Sequence, residues 1–296
     1  MIITGVTRSV VGTSPAAKQV AAHRGFHDGN APYENTVSAY RAAVRIGADL
    51  METDIRRTAD GVLVLHHDAS ISGAYIAETR YADLPLLPGG ERMSKLQDLV
   101  DAAASDGGHT RLLVETKEHG YEAQVVSMLR ARLAPSQFDL MSFDLDSVKA
   151  LRQLAPDSKV GVLFGLIPDW QNGEWPISGA QIVAKARRLG VDFVAIDAHI
   201  ANNERLQTIA DAGFGIAVWT VDKQLDIQKY LADARVHTII TNAPDLAMRL
   251  RDKAPTGALA SGPAPVTQLR LAPPIDAAVY VTGSQAADWW HDAVAV

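Results

Sequence analysis

Residues 138–164 read FDLMSFDLDSVKALRQLAPDSKVGVLF, and this stretch holds one full turn of the architecture. Residues 138–143 are a short apolar run with strand character. Asp144 follows, a residue that can cap a helix over 144–154 by accepting its free N–H groups. Residues 159–164 are strand again. Working toward the C-terminus, the same alternation continues. A helix at 180–189 ends at Gly190, and strands at 192–197, 214–220 and 236–241 are separated by helices at 203–212 and 224–232, with a last helix at 244–251. Working toward the N-terminus, a strand at 111–116 precedes a helix at 121–133, and another helix lies at 95–104. The run 62–66 is set off from the strand 49–55 by Asp60-Gly61, a hairpin turn signal. A helix at 34–47 carries Val37, Tyr40, Ala43 and Val44 on one face, and residues 19–22 are a short apolar approach to His23. With the hairpin run merged into its neighbour, eight strands result, each followed by a helix or a long connection. Eight βα units in about 230 residues predict a closed (β/α)8 TIM barrel. An open doubly wound sheet is the alternative, but no G-x-G-x-x-G follows the first strand.

The whole chain has 296 residues, 47% hydrophobic and 21% charged. These are the proportions of a soluble globular protein with a sizeable core, not of a disordered chain. With 28 basic and 34 acidic residues the net charge is −6, which argues against nucleic-acid binding through a broad basic face. There is no cysteine, so disulfides, thiolate metal sites and a cysteine nucleophile are excluded. No apolar run approaches the roughly 18 residues of a membrane helix, so no stable membrane insertion is expected. The first twenty residues lack a signal-like apolar core, from which a cytoplasmic location is expected. After Lys253 the composition shifts to APTGALASGPAPV at 254–266. The expected organisation is therefore a barrel domain, 1–253, and a Pro/Ala-rich linker with a C-terminal extension, 254–296. That extension contains strand-like pieces at 267–271 and 277–282 and the pair Trp289-Trp290. It is read first as a tail packing back on the barrel, with homo-oligomer formation through it as the alternative.

In a βα barrel the chemistry sits where the strands end. The first strand ends in His23-Arg24-Gly25, and the second carries Glu52 and Asp54. The hairpin run ends in His66-His67-Asp68, and the next strand carries Glu115 and Lys117. The remaining strands end in Ser142-Phe143, Phe164, Asp197 with His199, Trp219-Thr220 and Thr241-Asn242. Glu52 and Asp54 stand at i, i+2, so both side chains leave the same face of their strand. Two adjacent carboxylates repel unless a cation or proton lies between them. Together with Glu115 they would form an oxygen-only site for one hard divalent cation, Mg2+ or Ca2+. Ordinary salt bridges to Arg56, Arg57 or Lys117 are the plainer reading of the same residues. His23-Arg24 joins a group that titrates near neutrality to a fixed cation suited to phosphate. His66 and His67 point to opposite faces, and His67 has the parity of the site.

The stretch 22–68, AHRGFHDGNAPYENTVSAYRAAVRIGADLMETDIRRTADGVLVLHHD, resembles the glycerophosphodiester phosphodiesterase family. The elements are HRG, a P-E-N-T-like helix start, E-x-D, T-x-DG and a closing HD, in that order. VETK at 114–117, MSFD at 141–144, VWTVD at 218–222 and IITNAP at 239–244 extend the resemblance over roughly residues 20–250. It implies a TIM barrel with a divalent metal that hydrolyses glycerophosphodiesters to glycerol phosphate and an alcohol. It implies catalytic roles for His23 and His67, with His23 favoured as base and His67 as acid. Metal carboxylates fall on Glu52, Asp54 and Glu115, phosphate-binding cations on Arg24 and Lys117, and an aromatic wall beside the substrate on Trp219. Asn35 could assist the site, but helix capping by Asn35 or Thr36 is the preferred reading. The sequence departs from the pattern at Tyr33, at residues 69–73, and at Asn242, where Thr-Asp is common. Only about 45 residues separate His67 from Glu115, so a substrate-covering insertion there must be short or absent. The expected partner is a small phosphodiester. A lysophospholipase D-like activity on lysophospholipids and a non-catalytic phosphodiester-binding barrel are the alternatives.

Overall fold

Side-chain caps start four of the helices of the βα repeat, those after Thr36, Asp144, Ser178 and Asn202. In the computed structural model, which describes residues 18–27, 33–88, 90–165 and 177–253, β1 (Gln19–Ala22) is followed by α1 (Val37–Ile46). Thr36 caps α1 by accepting the Ala39 N–H, and Gly47 ends it in the left-handed conformation. β2 (Leu50–Arg57) turns through Asp60-Gly61 into β3 (Leu63–Leu65), its antiparallel partner. A short hairpin, β4 (Ser70–Ile71) and β5 (Ala74–Tyr75), leads to α2 (Leu96–Ser105) and β6 (Arg111–Thr116). Then come α3 (Glu122–Arg130), β7 (Phe138–Ser142), α4 (Leu145–Leu154) and β8 (Lys159–Phe164). α5 (Gly179–Leu189), β9 (Phe193–Asp197), α6 (Asn203–Asp211) and β10 (Gly215–Trp219) follow. α7 (Gln224–Ala232), β11 (Thr238–Thr241) and α8 (Pro244–Lys253) complete the described chain. Asp144 caps α4 by accepting the Ser147 N–H.

Eight of these strands run parallel in the order β1, β2, β6, β7, β8, β9, β10, β11. The ring closes because β1 pairs on both sides: Val20 lies beside Ile239 of β11, and Ala21 beside Leu50 of β2. The fold is the expected TIM barrel. Strand periodicity then sorts the side chains. One parity, including Val20, Met51, Leu112, Val114, Leu140, Val162, Val194, Val218 and Ile239, packs outward in the large cluster beneath the helices. The other parity fills the barrel with one residue from every strand: Ala21, Leu50, Leu113, Met141, Leu163, Ala195, Ala217 and Ile240. This plug is closed to water, and truncating a member such as Leu113 to alanine would cost roughly 2–5 kcal/mol.

The plug decides where function can sit. Two residues beyond each member, on the same inward parity, stand His23, Glu52, Glu115, Phe143, Gly165, Asp197, Trp219 and Asn242. The site is thus the next storey above an apolar floor.

Some boundaries differ from those expected from sequence. The run expected at 62–66 is shorter, Leu63–Leu65, because the chain leaves the sheet once the His66 N–H has bonded the Asp54 carbonyl. The last strand begins at Thr238, since the Val236 N–H closes a turn on Asp233. The connection before α2 carries its own apolar cluster of Val64, Ile71, Ile76, Leu84, Leu87 and Met93. The extension expected at 254–296 lies outside the described residues. Among the described residues, no helix is long and apolar enough to cross a membrane.

Candidate active site

The end of β1 is shaped by Gly25. Its φ of +89° belongs to glycine, and a Cβ there would fall 2.6 Å from that of Ala39 on α1. The tight turn brings α1 close and leaves Arg24 and Asn35 facing β2. Both have left-handed backbones, φ 56° and 54°, and the Asn35 N–H donates to the Arg24 carbonyl at 2.8 Å.

Glu52, Asp54 and Glu115 are buried, and one oxygen of each lies within 4.8 Å of the others. Asp54 is the best supported. Asn35 Nδ2 donates to its Oδ2 at 2.8 Å, and Lys117 Nζ lies 3.3 Å from its Oδ1. Burial opposes ionisation there, but Lys117 and Arg24 hold Asp54 well below the usual carboxylate range. Burial, with Asp54 and Glu115 beside it, pushes Glu52 up. Burial also pushes Glu115 up, although Lys117 Nζ is 2.7 Å away. Two cations therefore serve three crowded carboxylates. The shortfall of positive charge and the all-oxygen donors fit a hard divalent cation.

Arg24 spans this cluster. Its main-chain N–H donates to Glu52 Oε2 at 2.9 Å, and Nη1 donates to Glu34 at 2.8 Å. Its Nε is buried without a hydrogen-bond partner, 3.5 Å from Asp54 Oδ2. The guanidinium thus sits among carboxylates, ion-paired with both Asp54 and Glu34.

The two histidines flank the cluster with different partners. His23 is fixed by its N–H to the Thr241 carbonyl and by Nδ1 at 2.8 Å from Asn242 Oδ1. Asn242 gives both its main-chain and side-chain N–H to Asp222, each at 2.8 Å. That network turns the amide oxygen toward His23, so Nδ1 carries the hydrogen and Nε2 keeps its lone pair. Nε2 lies 3.9 Å from Glu52 Oε2. Burial, and then Arg24, lower the His23 pKa to about 3. His67 Nδ1 instead meets the Asp68 carboxylate at 2.8 Å. Burial, and then Lys117, lower its pKa to about 4, while Asp54 and Asp68 favour its charged form. Trp219 packs edge-on against Phe143 at 5.4 Å, and Gly165 leaves room, since a Cβ there would meet the indole at 3.0 Å.

All eight residues singled out from sequence, His23, Arg24, Glu52, Asp54, His67, Glu115, Lys117 and Trp219, stand at this rim. The structure divides the two capping candidates, Asn35 and Thr36. Thr36 is the helix cap, and the Asn35 side chain binds Asp54 while its Oδ1 accepts from Thr53 Oγ1 and the Asp54 N–H. Asn242 and Asp222 were not singled out as site residues. The signal for Asn242 was its inward parity two residues past Ile240. Asp197 and His199 also reach the rim but pair with each other at 2.8 Å.

Residues 23–246 match the model of the Glycerophosphoryl diester phosphodiesterase family. A Caldanaerobacter subterraneus glycerophosphodiester phosphodiesterase is 24% identical over 252 residues, 78% of this chain and 96% of that protein. A Bacillus subtilis one is 25% identical over 267 residues, 80% of this chain and 88% of the other. Among solved structures, a glycerophosphodiester phosphodiesterase from Parabacteroides distasonis is 26% identical with a TM-score of 0.67, covering 81% of this chain and 98% of that one. An Oleispira antarctica phosphodiesterase solved with the product sn-glycerol-3-phosphate shares the fold, at 22% identity, a TM-score of 0.66 and coverage of 80% and 97%.

Proposed function

The chain belongs to the glycerophosphoryl diester phosphodiesterase family, and we propose that it hydrolyses glycerophosphodiesters to glycerol phosphate and an alcohol by acid–base work of His23 and His67. The observation that carries this reading is the unlike pairing of two rings that both lie within reach of Arg24 and Asp54: His23 on a neutral amide, His67 on a carboxylate.

Arg24 and Lys117 hold the non-bridging oxygens of the phosphodiester, where charge grows as the attacking oxygen adds. Glu52, Asp54 and Glu115 would hold one divalent cation, Mg2+ or Ca2+, whose charge when bound adds to that of the two side chains. His23 is neutral through the physiological range and presents a bare Nε2, so it takes the proton from the attacking oxygen. That oxygen belongs to water or to the substrate's own vicinal hydroxyl, which would give a cyclic phosphate first. His67 gives a proton to the leaving alkoxide. An anion between Arg24 and Lys117 offsets the two cations that hold the imidazolium down, and Asp68 then favours the protonated ring. Trp219 and Phe143 form the apolar wall against the organic part of the substrate.

Glycerophosphocholine, glycerophosphoethanolamine and lysophosphatidylcholine, incubated with the protein and Mg2+ or Ca2+, test the reading through their products. Release of glycerol phosphate from the first two is expected. Turnover of lysophosphatidylcholine alone would favour the lysophospholipase D-like activity instead, and turnover of none would leave a binding barrel.

A further inference from the structure

The parity that aims Glu52 and Asp54 into the barrel mouth also brings in Arg56, two residues farther along β2, and nothing in the chemistry above uses it. Arg56 is buried. Its guanidinium turns toward the end of β3. Nε and Nη2 both donate to the main-chain carbonyl of His67, at 2.8 and 2.5 Å. Nη1 bonds the Glu118 carboxylate, and Glu118 Oε2 accepts the Tyr121 hydroxyl at 2.6 Å.

His67 needs such a grip. β3 ends at Leu65, and His67 follows the residue that makes the last bond to β2, His66 N–H to the Asp54 carbonyl. The sheet does not extend to His67, and its ring partner Asp68 is 53% exposed at the side chain. The half-exposed Asp68 carboxylate orients the ring but anchors it poorly. Two charge-assisted bonds to one carbonyl fix the backbone on which the ring is mounted. Glu118 directly follows Lys117, so the brace also ties His67 to the end of β6, the strand that carries Glu115 and runs into Lys117.

We propose that Arg56, braced by Glu118, is a positioning residue that fixes where His67 delivers its proton. This rests on the reading of His67 as the acid, and the test separates the two. The variants Arg56→Met, Arg56→Lys, Glu118→Gln and His67→Ala are compared on glycerophosphocholine and on bis(p-nitrophenyl) phosphate. The alcohol of the first leaves poorly without a proton, whereas p-nitrophenolate leaves without one. A misplacement of about 1 Å can cost roughly a hundredfold, so Arg56→Met should lose about that much kcat on glycerophosphocholine. It should lose less than about threefold on bis(p-nitrophenyl) phosphate, with KM little changed on either. Arg56→Lys should regain part of the loss, and Glu118→Gln should show the same selectivity at smaller size. Thermal unfolding reports whether each variant folds; if Arg56→Met does not, the other two carry the comparison. Equal losses on both substrates would overturn the proposal, as would no loss on either while His67→Ala discriminates between them. If His67→Ala itself fails to discriminate, the acid reading falls, and the proposal with it.

Discussion

The two ends of this barrel use charge in opposite ways. At the end where the strands begin, carboxylates and arginines mostly pair singly: Asp139 with Arg111 and Asp192 with Arg152, while Arg251 takes Asp49 and the exposed Asp252. Asp49 and Asp192 also accept main-chain N–H groups, from Val20 and Val160. At the end where the strands finish, Glu52, Asp54 and Glu115 share Lys117 and Arg24, and Arg24 is shared further with Glu34. Single pairing closes a surface. Shared pairing leaves donors and carboxylates with capacity for a ligand. The difference teaches that charge shortfall, more than charge itself, marks the working end.

The contrast is broken most directly at the histidines. His23→Ala and His67→Ala should each lower kcat on a glycerophosphodiester by roughly two to four orders of magnitude, measured at saturating substrate. Either variant retaining near wild-type kcat would remove the acid–base assignment. Next in size is the cation. Chelation should abolish turnover and added Mg2+ or Ca2+ restore it. Titration calorimetry should show Glu115→Gln binding the cation at least roughly tenfold more weakly; unchanged binding would return the triad to ordinary salt bridges.

Exchanging the ring partners gives a smaller and signed effect. Asn242→Asp places a carboxylate on His23, which favours the imidazolium and raises its pKa from about 3. The base then stays protonated to higher pH, so the acid limb of kcat/KM should move up by about one pH unit. Asp68→Asn removes the carboxylate from His67, lowers its pKa, and should move the alkaline limb down. Shifts of the same sign in both variants would contradict the assignment of roles. The smallest effect belongs to the other end of the barrel. Arg152→Ala breaks a partly exposed pair and should cost at most about 1 kcal/mol in urea unfolding, with kcat unchanged.

The barrel was legible in the sequence because its signals are local. Asp144, Gly47 and Gly190 cap their helices in place, and Asp60-Gly61 makes its own turn. The acidic cluster was legible for the same reason, since i, i+2 spacing fixes a face without knowledge of the fold. What escaped were residues whose meaning depends on distant partners. Asn242 reaches His23 across 219 residues, only because β11 closes the ring onto β1. Asn35 sits beside a capping threonine that answers for the helix start, so its link to Asp54 is invisible until α1 is packed. Arg56 looks like one more strand arginine until the chain after β3 bends back beneath it.

Arg24 is the residue this fold would not choose for its own sake. An arginine held at φ 56° costs the backbone on the order of 1–3 kcal/mol that a glycine would not. Its buried Nε, ion-paired with Asp54 but without a hydrogen bond, adds to the penalty. Selection of random substitutions at residue 24 for heat resistance alone should therefore discard arginine, and selection for turnover should bring it back. At this one position durability and work ask for different amino acids.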